Sequence, residues 1–406
     1  MLAALSAGGL LGNAFLLAAD YVSRRVMASL GALSTAVCLF AFGLGHSLPV
    51  LVGAAFFWGA SSDALLHAPE FALMDLVRSL GLSVGLGPED EAEERAVAVA
   101  LSRANALSAI GDLLGPLTLS GVAALELSWR AAFFAGGALL LAYAGWLASQ
   151  PIPKPLSAPE EPPAAAILSV LRDRTVLLLG VVDTLYGLLD EPLLGFFTAF
   201  LERIRAFTPA AATAFVAVIV VSGFAGYLAV PVLRPSRAAP DSDRAPTAAV
   251  AYDGPISLRG WSAPLRARAS RLLKRIHVSS ASAILLVLGT AVLVSVSGLI
   301  LAPAWWLLLP PAAVFGFAGA AFYSILEATY LSLHPGQAGA TSAINSTIGF
   351  AGLGFPAAVG ALADAHGLTI GLSLYAAVPA VMLVLLLLAR PSLRNRAERS
   401  TYGTGQ

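Results

Sequence analysis

The chain has 406 residues, of which 58% are hydrophobic and 12% are charged, and its formal net charge is zero. Soluble domains carry about 25% charged residues, so this composition excludes a soluble globular fold. The zero net charge gives no indication of nucleic acid or acidic partners. The single cysteine, Cys38, excludes an internal disulfide and a thiolate metal cluster.

Apolar runs between charged residues and Pro or Gly breaks predict about eleven membrane-spanning helices. Roughly 20 apolar residues in helical form cross a bilayer, and in lipid the backbone polar groups must pair within their own segment. We therefore expect an all-α, polytopic membrane protein. The predicted spans are 2–19, 27–45, 49–77, 96–125, 131–149, 175–200, 209–233, 279–302, 305–333, 338–363 and 368–390.

The positions of the arginines predict the orientation of these spans. If the spans alternate, most basic residues fall on one side, which the positive-inside rule makes cytoplasmic. Arg203 and Arg205 are the main exceptions. On this basis we expect an inner (plasma) membrane protein with a cytoplasmic C-terminus. The residues that define the basic side are Arg24, Arg25, Arg78, Arg95, Arg172, Arg174, the cluster from Arg259 to Arg275, and Arg390 to Arg399.

Two segments between the spans have no membrane character. Residues 150–174 contain six prolines, which predicts a stiff, exposed cytoplasmic linker between two halves. Residues 234–277 form a cytoplasmic insertion that ends in a basic amphipathic helix at 264–276. A lipid-headgroup anchor is our first interpretation of that helix, and a regulatory or partner contact is the alternative.

The two halves share a pattern of residues, which predicts an internal repeat. In each matched pair the internal spacing is identical and the order along the chain is kept. The pairs are Gly9–Gly12 with Gly223–Gly226, Gly59–Glu70 with Gly316–Glu327, and Asn105–Pro116 with Asn345–Pro356. Span 175–200 has no counterpart in the first half, so a six-plus-six arrangement is expected to lack its first helix here.

This repeat predicts four segments. Residues 1–149 are expected to form an N-terminal bundle of five helices, and 150–174 the linker. Residues 175–390 are expected to form a C-terminal six-helix bundle interrupted by the insertion, and 391–406 a cytoplasmic tail.

Two short motifs carry a family resemblance. The first is Asp20-Tyr-Val-Ser-Arg24-Arg25 after the first span, and the second is Gly111-x-x-x-Gly115-Pro116. With these motifs the chain resembles the major facilitator superfamily over roughly residues 1–390. The resemblance implies two similar helical bundles that rock about a cavity at the membrane midplane. It also implies that Asp20, Arg24 and Arg25 form a cytoplasmic gate latch; without it they form an ordinary loop.

One predicted helix carries three ionisable residues on one face. Asp63, His67 and Glu70 are spaced by four and three residues, and charged groups inside a membrane need a partner or a water-filled pocket. We interpret them as a proton-binding or cation-recognising site. The alternative is structural: Glu70 bridges to Arg103 or Arg78, and His67 bonds a neighbouring hydroxyl or carbonyl. The family resemblance places this helix on the cavity together with Tyr323, Glu327 and Tyr330.

Further polar residues fall on other spans. Asp183, Tyr186 and Asp190 share a helix face and are candidates for the cavity, with an outer gate or a solvated helix end as the alternative. A second set, of amide, acidic, glycine and proline residues inside the spans, is interpreted as serving helix packing or gating. Its members are Asn105, Gly111, Asp112, Gly115, Pro116, Asn345 and Pro356.

The sequence contains no motif of an enzyme or a metal centre. A GxxxxGK[ST] phosphate loop and an HExxH motif are absent, no GxSxG elbow stands in a soluble context, and the five histidines are scattered. We therefore expect no catalysis, no cofactor and no metal.

Together with the resemblance, these features favour a monomeric secondary transporter in contact with membrane lipids. Its expected activity is proton-coupled efflux of a small amphipathic or cationic solute, with no nucleic-acid partner. Uptake of a sugar or other nutrient is the alternative, and a transport-inactive sensor or scaffold is the rival from another class.

Overall fold

A computed structural model describes residues 2–79, 89–152, 162–234, 280–334 and 336–402. Within these ranges all regular structure is helical, which confirms the predicted all-α fold. The helices are α1 (Leu2–Ala19), α2 (Arg24–Leu44), α3 (Leu48–Ser79), α4 (Glu89–Ala124), α5 (Arg130–Ser149), α6 (Pro163–Arg172), α7 (Arg174–Leu188), α8 (Glu191–Arg203), α9 (Pro209–Leu233), α10 (Ala281–Leu301), α11 (Leu309–Leu331), α12 (Ala338–Gly349), α13 (Phe355–His366) and α14 (Leu368–Tyr402).

In the described ranges, eight helical segments are long and apolar enough to cross a bilayer. They lie in α2, α3, α5, α9, α10, α11, the run α12–α13, and α14. The protein is therefore an integral, multi-pass membrane protein. The three remaining predicted spans are also helical, as α1, as part of α4, and as α7 with α8.

Three boundaries differ from the sequence prediction. The predicted span 175–200 is broken between α7 and α8, because Asp190 precedes α8 and Pro192 occupies its first turn, where a missing N–H is tolerated. Helix α4 begins at Glu89, before the start of the predicted span 96–125. The C-terminal helix continues past 390 to Tyr402.

Part of the proline-rich segment is a packed helix and not an exposed linker. Helix α6 buries Ala166 and Val170 against Ala340 and Ile344 of α12. The apolar side chains that follow Pro163 recur at helical spacing, so one face of α6 can be buried. Residues 153–161 of the predicted linker, and the predicted insertion beyond Arg234, lie outside the described residues.

Contacts divide the chain into two compact units. The first unit comprises Met1–Leu76, Ala104–Leu185 and Tyr330–Ala358, and the second comprises Val77–Arg103, Tyr186–Thr329 and Val359–Gln406. The predicted division into halves at the proline-rich segment stays a prediction.

Within the first unit, α1 crosses α3 at glycines that leave no room for a side chain. A methyl group on Gly59 would lie 1.9 Å from the Leu5 carbonyl oxygen, and one on Gly12 would lie 3.2 Å from the Ala60 carbonyl oxygen. The two helices therefore meet backbone to backbone, as small residues permit in membrane proteins.

Within the second unit, α9 crosses α11 in the same way. A methyl group on Gly316 would lie 2.0 Å from the Ile219 carbonyl oxygen, and one on Gly226 would lie 2.2 Å from that of Phe317. Every residue in this contact is the repeat counterpart of a residue in the α1–α3 contact. The glycine pairs matched in the sequence therefore serve equivalent crossings, as the predicted repeat requires.

Two arginines cap the C-terminal ends of helices. Arg130 donates from both Nη atoms to the carbonyls of Gly43 and Gly45, at 3.0 Å each, where α2 ends. Arg205 donates to the carbonyls of Pro303 and Ala302, just after α10. The last carbonyls of a helix lack intrahelical donors, so a guanidinium there satisfies them. This role accounts for Arg205, one of the two exceptions to the predicted arginine pattern.

Candidate functional site

The sequence predicts nine cavity residues, and the structure distributes them between the two units. The first unit contains Asp63, His67, Glu70, Asp183 and Tyr330, and the second contains Tyr186, Asp190, Tyr323 and Glu327. Their role in a cavity stays a prediction.

The central feature of the first unit is a close imidazole–carboxylate pair on α3. His67 Nδ1 lies 2.7 Å from Glu70 Oε2, and both side chains are partly buried. The ring also stacks on Phe71 at a centroid distance of 6.0 Å. A hydrogen bond this short between an imidazole and a carboxylate fixes the ring orientation and holds one proton between the two groups.

Asp63 lies one turn before His67 and packs against α1. A methyl group on Gly12 would lie 2.8 Å from Asp63 Oδ2. That oxygen is buried and has no hydrogen-bond partner among the described residues. The glycine therefore does more than allow the helices to cross, since it also leaves space for a carboxylate.

Asp183 and Asn345 connect α7 to α12. Asn345 Nδ2 donates to Asp183 Oδ2 at 2.7 Å, so the residue assigned to helix packing is bonded to a predicted cavity residue. Asp183 lies within electrostatic range of both His67 and Glu70, and Asp63 lies within range of His67. We call Asp63, His67, Glu70, Asp183 and Asn345 the polar cluster.

Asn13 is a residue of this region that the sequence prediction missed. Its Nδ2 donates to Thr347 Oγ1 at 2.8 Å, and the Thr347 hydroxyl donates onward to the Ala343 carbonyl at 2.7 Å. The bond ties α1 to α12 across 334 residues of sequence. The signal was an asparagine inside an otherwise apolar helix, which is costly in a membrane unless it is bonded.

The predicted cavity residues of the second unit are mainly aromatic. Tyr186 stacks on Tyr323 with ring centroids 5.7 Å apart and also contacts Phe322. A methyl group on Gly319 would lie 2.9 Å from the Tyr186 hydroxyl, so this glycine accommodates the ring. Glu327, one turn after Tyr323, has a side chain that is 0% exposed.

The two remaining cavity candidates, Asp190 and Tyr330, differ in their exposure to solvent. Asp190 is exposed at the break between α7 and α8, the position expected for a helix end. Tyr330, in the first unit, is buried.

Two of the three predicted latch residues, Asp20 and Arg24, make a set of buried polar contacts near the end of α1. Asp20 and Arg24 are only 2% and 4% exposed. The Asp20 carboxylate accepts the N–H groups of Gly339 and Ala340, at 2.9 and 3.1 Å, in the first turn of α12. A carboxylate is favoured at a helix N-terminus, where free N–H groups and the helix dipole attract negative charge.

Arg24 adds to these contacts a bond with Asp75, a residue that the sequence prediction missed. Its Nε donates to Asp75 Oδ2 at 3.1 Å, another N–H bonds the Ala19 carbonyl, and the guanidinium lies over the Phe71 ring. Arg25, the third predicted latch residue, is exposed. Burial raises the pKa of the Asp20 carboxyl, although the two backbone N–H groups and Arg24 act in the opposite direction.

Helix α6 reinforces the same end of α12. Ser169 Oγ donates to Gln337 Oε1 at 3.0 Å, and His334 Nε2 lies 3.0 Å from Asp173 Oδ2. These bonds surround the apolar contact of α6 with Ala340, next to the N–H group that Asp20 binds. The start of α12 is thus held from two sides.

The other residues predicted to serve helix packing lie in two different helices, α4 and α13. Asn105 is half-buried and Gly111 is exposed, both on α4, and Pro356 is half-buried in α13. Asp112, Gly115 and Pro116 also lie in α4, but their side chains are outside the described part of the structure.

Two cavities in the described part of the structure are lined by residues outside the polar cluster. An apolar one of about 210 Å³ lies among α1, α2 and α3, beside Phe15, Met27 and Ser61. A more open cleft of about 530 Å³ in the second unit carries Glu191, Arg203 and Asp364.

Comparison with known proteins gives one kind of match. No protein-family model matches the sequence, and no curated protein matches it. The structure resembles that of the human organic anion transporter MFSD10 (TETRAN), with a TM-score of 0.64, 14% identity, and coverage of 95% of this chain and 82% of that one.

A second solved structure gives the same result. FucP, a major facilitator superfamily transporter in the outward conformation, matches with a TM-score of 0.60 and 13% identity, over 96% of this chain and 89% of that one. At these identities the likeness defines the fold of the chain.

Proposed function

From the major facilitator fold that the chain has, we propose that it is a secondary transporter that moves a small solute across the membrane by alternating access. We further propose that protons drive the transport, and that the direction is efflux of a small amphipathic or cationic compound.

The observation that carries the proposal is the His67–Glu70 pair within range of Asp183. Ionisable groups inside a membrane span are costly and are usually functional. Histidine is the side chain whose ordinary charge change lies nearest neutral pH. Two further carboxylates, Asp63 on the same helix and Asp183 on α7, lie within electrostatic range of His67. Taking a proton from one side and releasing it to the other would change the charge of the whole cluster.

The charge of the cluster supports a cationic solute. With His67 protonated and the carboxylates of Asp63, Glu70 and Asp183 ionised, three negative charges face one positive charge. A site with this balance attracts cations and repels anions. Uptake of a polar nutrient is the alternative, and it uses the same residues with the opposite direction of flux.

The latch supports alternating access. Asp20 can accept the two N–H groups in the first turn of α12 only while α1 and α12 are close. These hydrogen bonds must break if that end of the protein is to open. We propose that the latch faces the cytoplasm. After replacement of Cys38 by alanine, the variant Arg25→Cys should react with a membrane-impermeant thiol reagent only from the cytoplasmic side, and Glu126→Cys only from the other side.

The test is transport by the purified protein in liposomes. A panel of labelled solutes is measured with and without an imposed pH gradient, in wild type and in Glu70→Gln. We expect gradient-dependent movement in wild type, and loss of that dependence in Glu70→Gln because the carboxamide cannot exchange the proton. The exposed substitution Glu126→Gln is the matched control and should behave as wild type.

Two outcomes would contradict the proposal. Unchanged coupling in Glu70→Gln would remove the proton role from this pair. If no solute moves although the protein is folded, the proposed transporter is wrong, and a transport-inactive sensor or scaffold becomes the better explanation.

A further inference from the structure

Besides Asp63 Oδ2, two more buried oxygens of the polar cluster have no donor among the described residues. Asp183 Oδ1 and Asn345 Oδ1 both lack a hydrogen-bond partner among the described residues, although each residue uses its other polar atom in their mutual bond. A buried acceptor without a donor is unfavourable, so this pair favours any group that supplies N–H or O–H donors.

The identity of the free Asn345 atom follows from its bond. The Asp183 carboxylate can only accept while it is ionised, so the atom of Asn345 that faces it is the NH₂ group. The remaining atom is therefore the carbonyl oxygen. Together the two residues present one carboxylate oxygen and one amide oxygen, which are both acceptors.

Glycine at position 180 keeps the amide oxygen close to α7. A methyl group on Gly180 would lie 3.0 Å from Asn345 Oδ1. Gly180 precedes Asp183 by three residues, so both lie on the same face of α7. The side chains of Asp183 and Asn345 are both partly exposed while the two oxygens are buried, so binding of a solute requires that both side chains turn toward it.

We propose that Asp183 and Asn345 form the subsite that binds a primary ammonium group of the transported solute. The inference rests on the proposed transporter function and specifies its substrate class. An ammonium group has three N–H donors and one positive charge, and it matches the carboxylate oxygen of Asp183 together with the amide oxygen of Asn345. A hydroxyl supplies only one donor, and a carboxylate supplies none.

The proposal separates hydrogen bonding from charge. A quaternary trimethylammonium group has the same charge but no N–H donor, and its methyl groups would keep both oxygens unsatisfied. We therefore expect a primary amine to be selected over its trimethyl analogue, and the amine over the matched alcohol.

The experiment uses the full-length protein in liposomes and three probes of matched shape: 2-phenylethylamine, its N,N,N-trimethyl analogue and 2-phenylethanol. Competition of each probe against a transported solute, and protection of the protein by each probe against thermal unfolding, are both measured. We expect the amine to act at concentrations about tenfold lower than either analogue, the ratio expected for one charge-assisted hydrogen bond. Gly180→Ala should reduce that preference because it displaces the amide oxygen.

Variants of the pair localise the effect. Asp183→Asn should remove the amine preference, and Asn345→Ser, which keeps a small polar group beside Asp183, should weaken it. Thr347→Val, two residues further along α12, is the control and should leave the preference unchanged. The thermal-protection readout shows for each variant whether the protein is folded.

The possible results distinguish the two proposals. If the trimethyl analogue acts as well as the amine, or if transport needs Na⁺ and ignores the N–H donors, the ammonium subsite is wrong while the transporter is not. If no probe or other solute moves, the transporter is wrong. Thermal protection by the amine, lost in Asp183→Asn, would then still support the subsite.

Discussion

The two glycine crossings have the same backbone arrangement and different chemistry. In the first unit α1 crosses α3 at Gly12 and Gly59, and in the second unit α9 crosses α11 at Gly226 and Gly316, with equivalent carbonyls in contact. At the repeat positions that carry Asp63 and His67 on α3, α11 carries the buried residues Ala320 and Ser324. Only the glutamate is common to both, as Glu70 and Glu327.

This difference separates packing from function. Close crossing needs glycine wherever two backbones meet, so the glycines are the same in both units. Helix packing does not need an imidazole or a second carboxylate, and the first unit has both. Three ionisable residues on about two turns of helix are unfavourable for stability in a membrane. Their presence in only one crossing is the reason to look for the coupling site there.

Replacing the crossing glycines should have the largest effect, and the effect should be equal in the two units. In both Gly59→Ala and Gly316→Ala the new methyl group would overlap a carbonyl oxygen, so each should lower the free energy of unfolding by about 3 kcal/mol. Reversible unfolding in detergent micelles measures this. Gly53→Ala in α3 and Gly195→Ala in α8, which have no atom within 4 Å of the added methyl group, are the controls. A large loss for one glycine and none for its counterpart would break the comparison.

Exchanging the side chains between the crossings should have an intermediate effect on stability. Ala320→Asp places a carboxylate at a buried position of α11, and should cost about 2.5 kcal/mol. Asp63→Ala removes a carboxylate with an unsatisfied oxygen, and should change stability by less than about 1 kcal/mol. Both variants are measured by the same unfolding assay. A strongly destabilised Asp63→Ala would show that this carboxylate is structural.

Breaking the tie between α1 and α12 should have the smallest effect. Thr347→Val keeps the shape of the side chain and removes the acceptor for Asn13, so stability should fall by about 0.6 kcal/mol, the typical value for a hydrogen bond between membrane helices. A loss of several kcal/mol would mean that the tie also holds the polar cluster together.

Features that depend on local sequence were predictable. Apolar runs of membrane length gave the helices, and the spacing of Gly59 and Glu70 pointed to Gly316 and Glu327. The helical spacing of His67 and Glu70 predicted that they share a face, and they are bonded. The family resemblance implied a role for Asp20 at that end of the first span, where it binds α12.

Features that depend on long-range pairing were not predictable. Arg24 bonds Asp75, and Asn345 bonds Asp183, across 51 and 162 residues, and one sequence contains no signal that selects these partners. Helix α6 was hidden by the prolines before it, since its burial depends on an apolar patch of α12. The break at Asp190 was missed because an apolar run continues on both sides of it.

The most direct test of the account is the movement of protons when a solute is added. Liposomes that hold the protein and a pH-sensitive dye are given 2-phenylethylamine at equal pH on both sides, with the membrane potential clamped. The neutral amine also crosses the bilayer unaided and takes up a proton inside, so protein-free liposomes give the baseline. The account predicts a pH change beyond that baseline in wild type and in Glu126→Gln, and none beyond it in Glu70→Gln. A solute flux without any pH change beyond the baseline in wild type, or an equal pH change in Glu70→Gln, would contradict it.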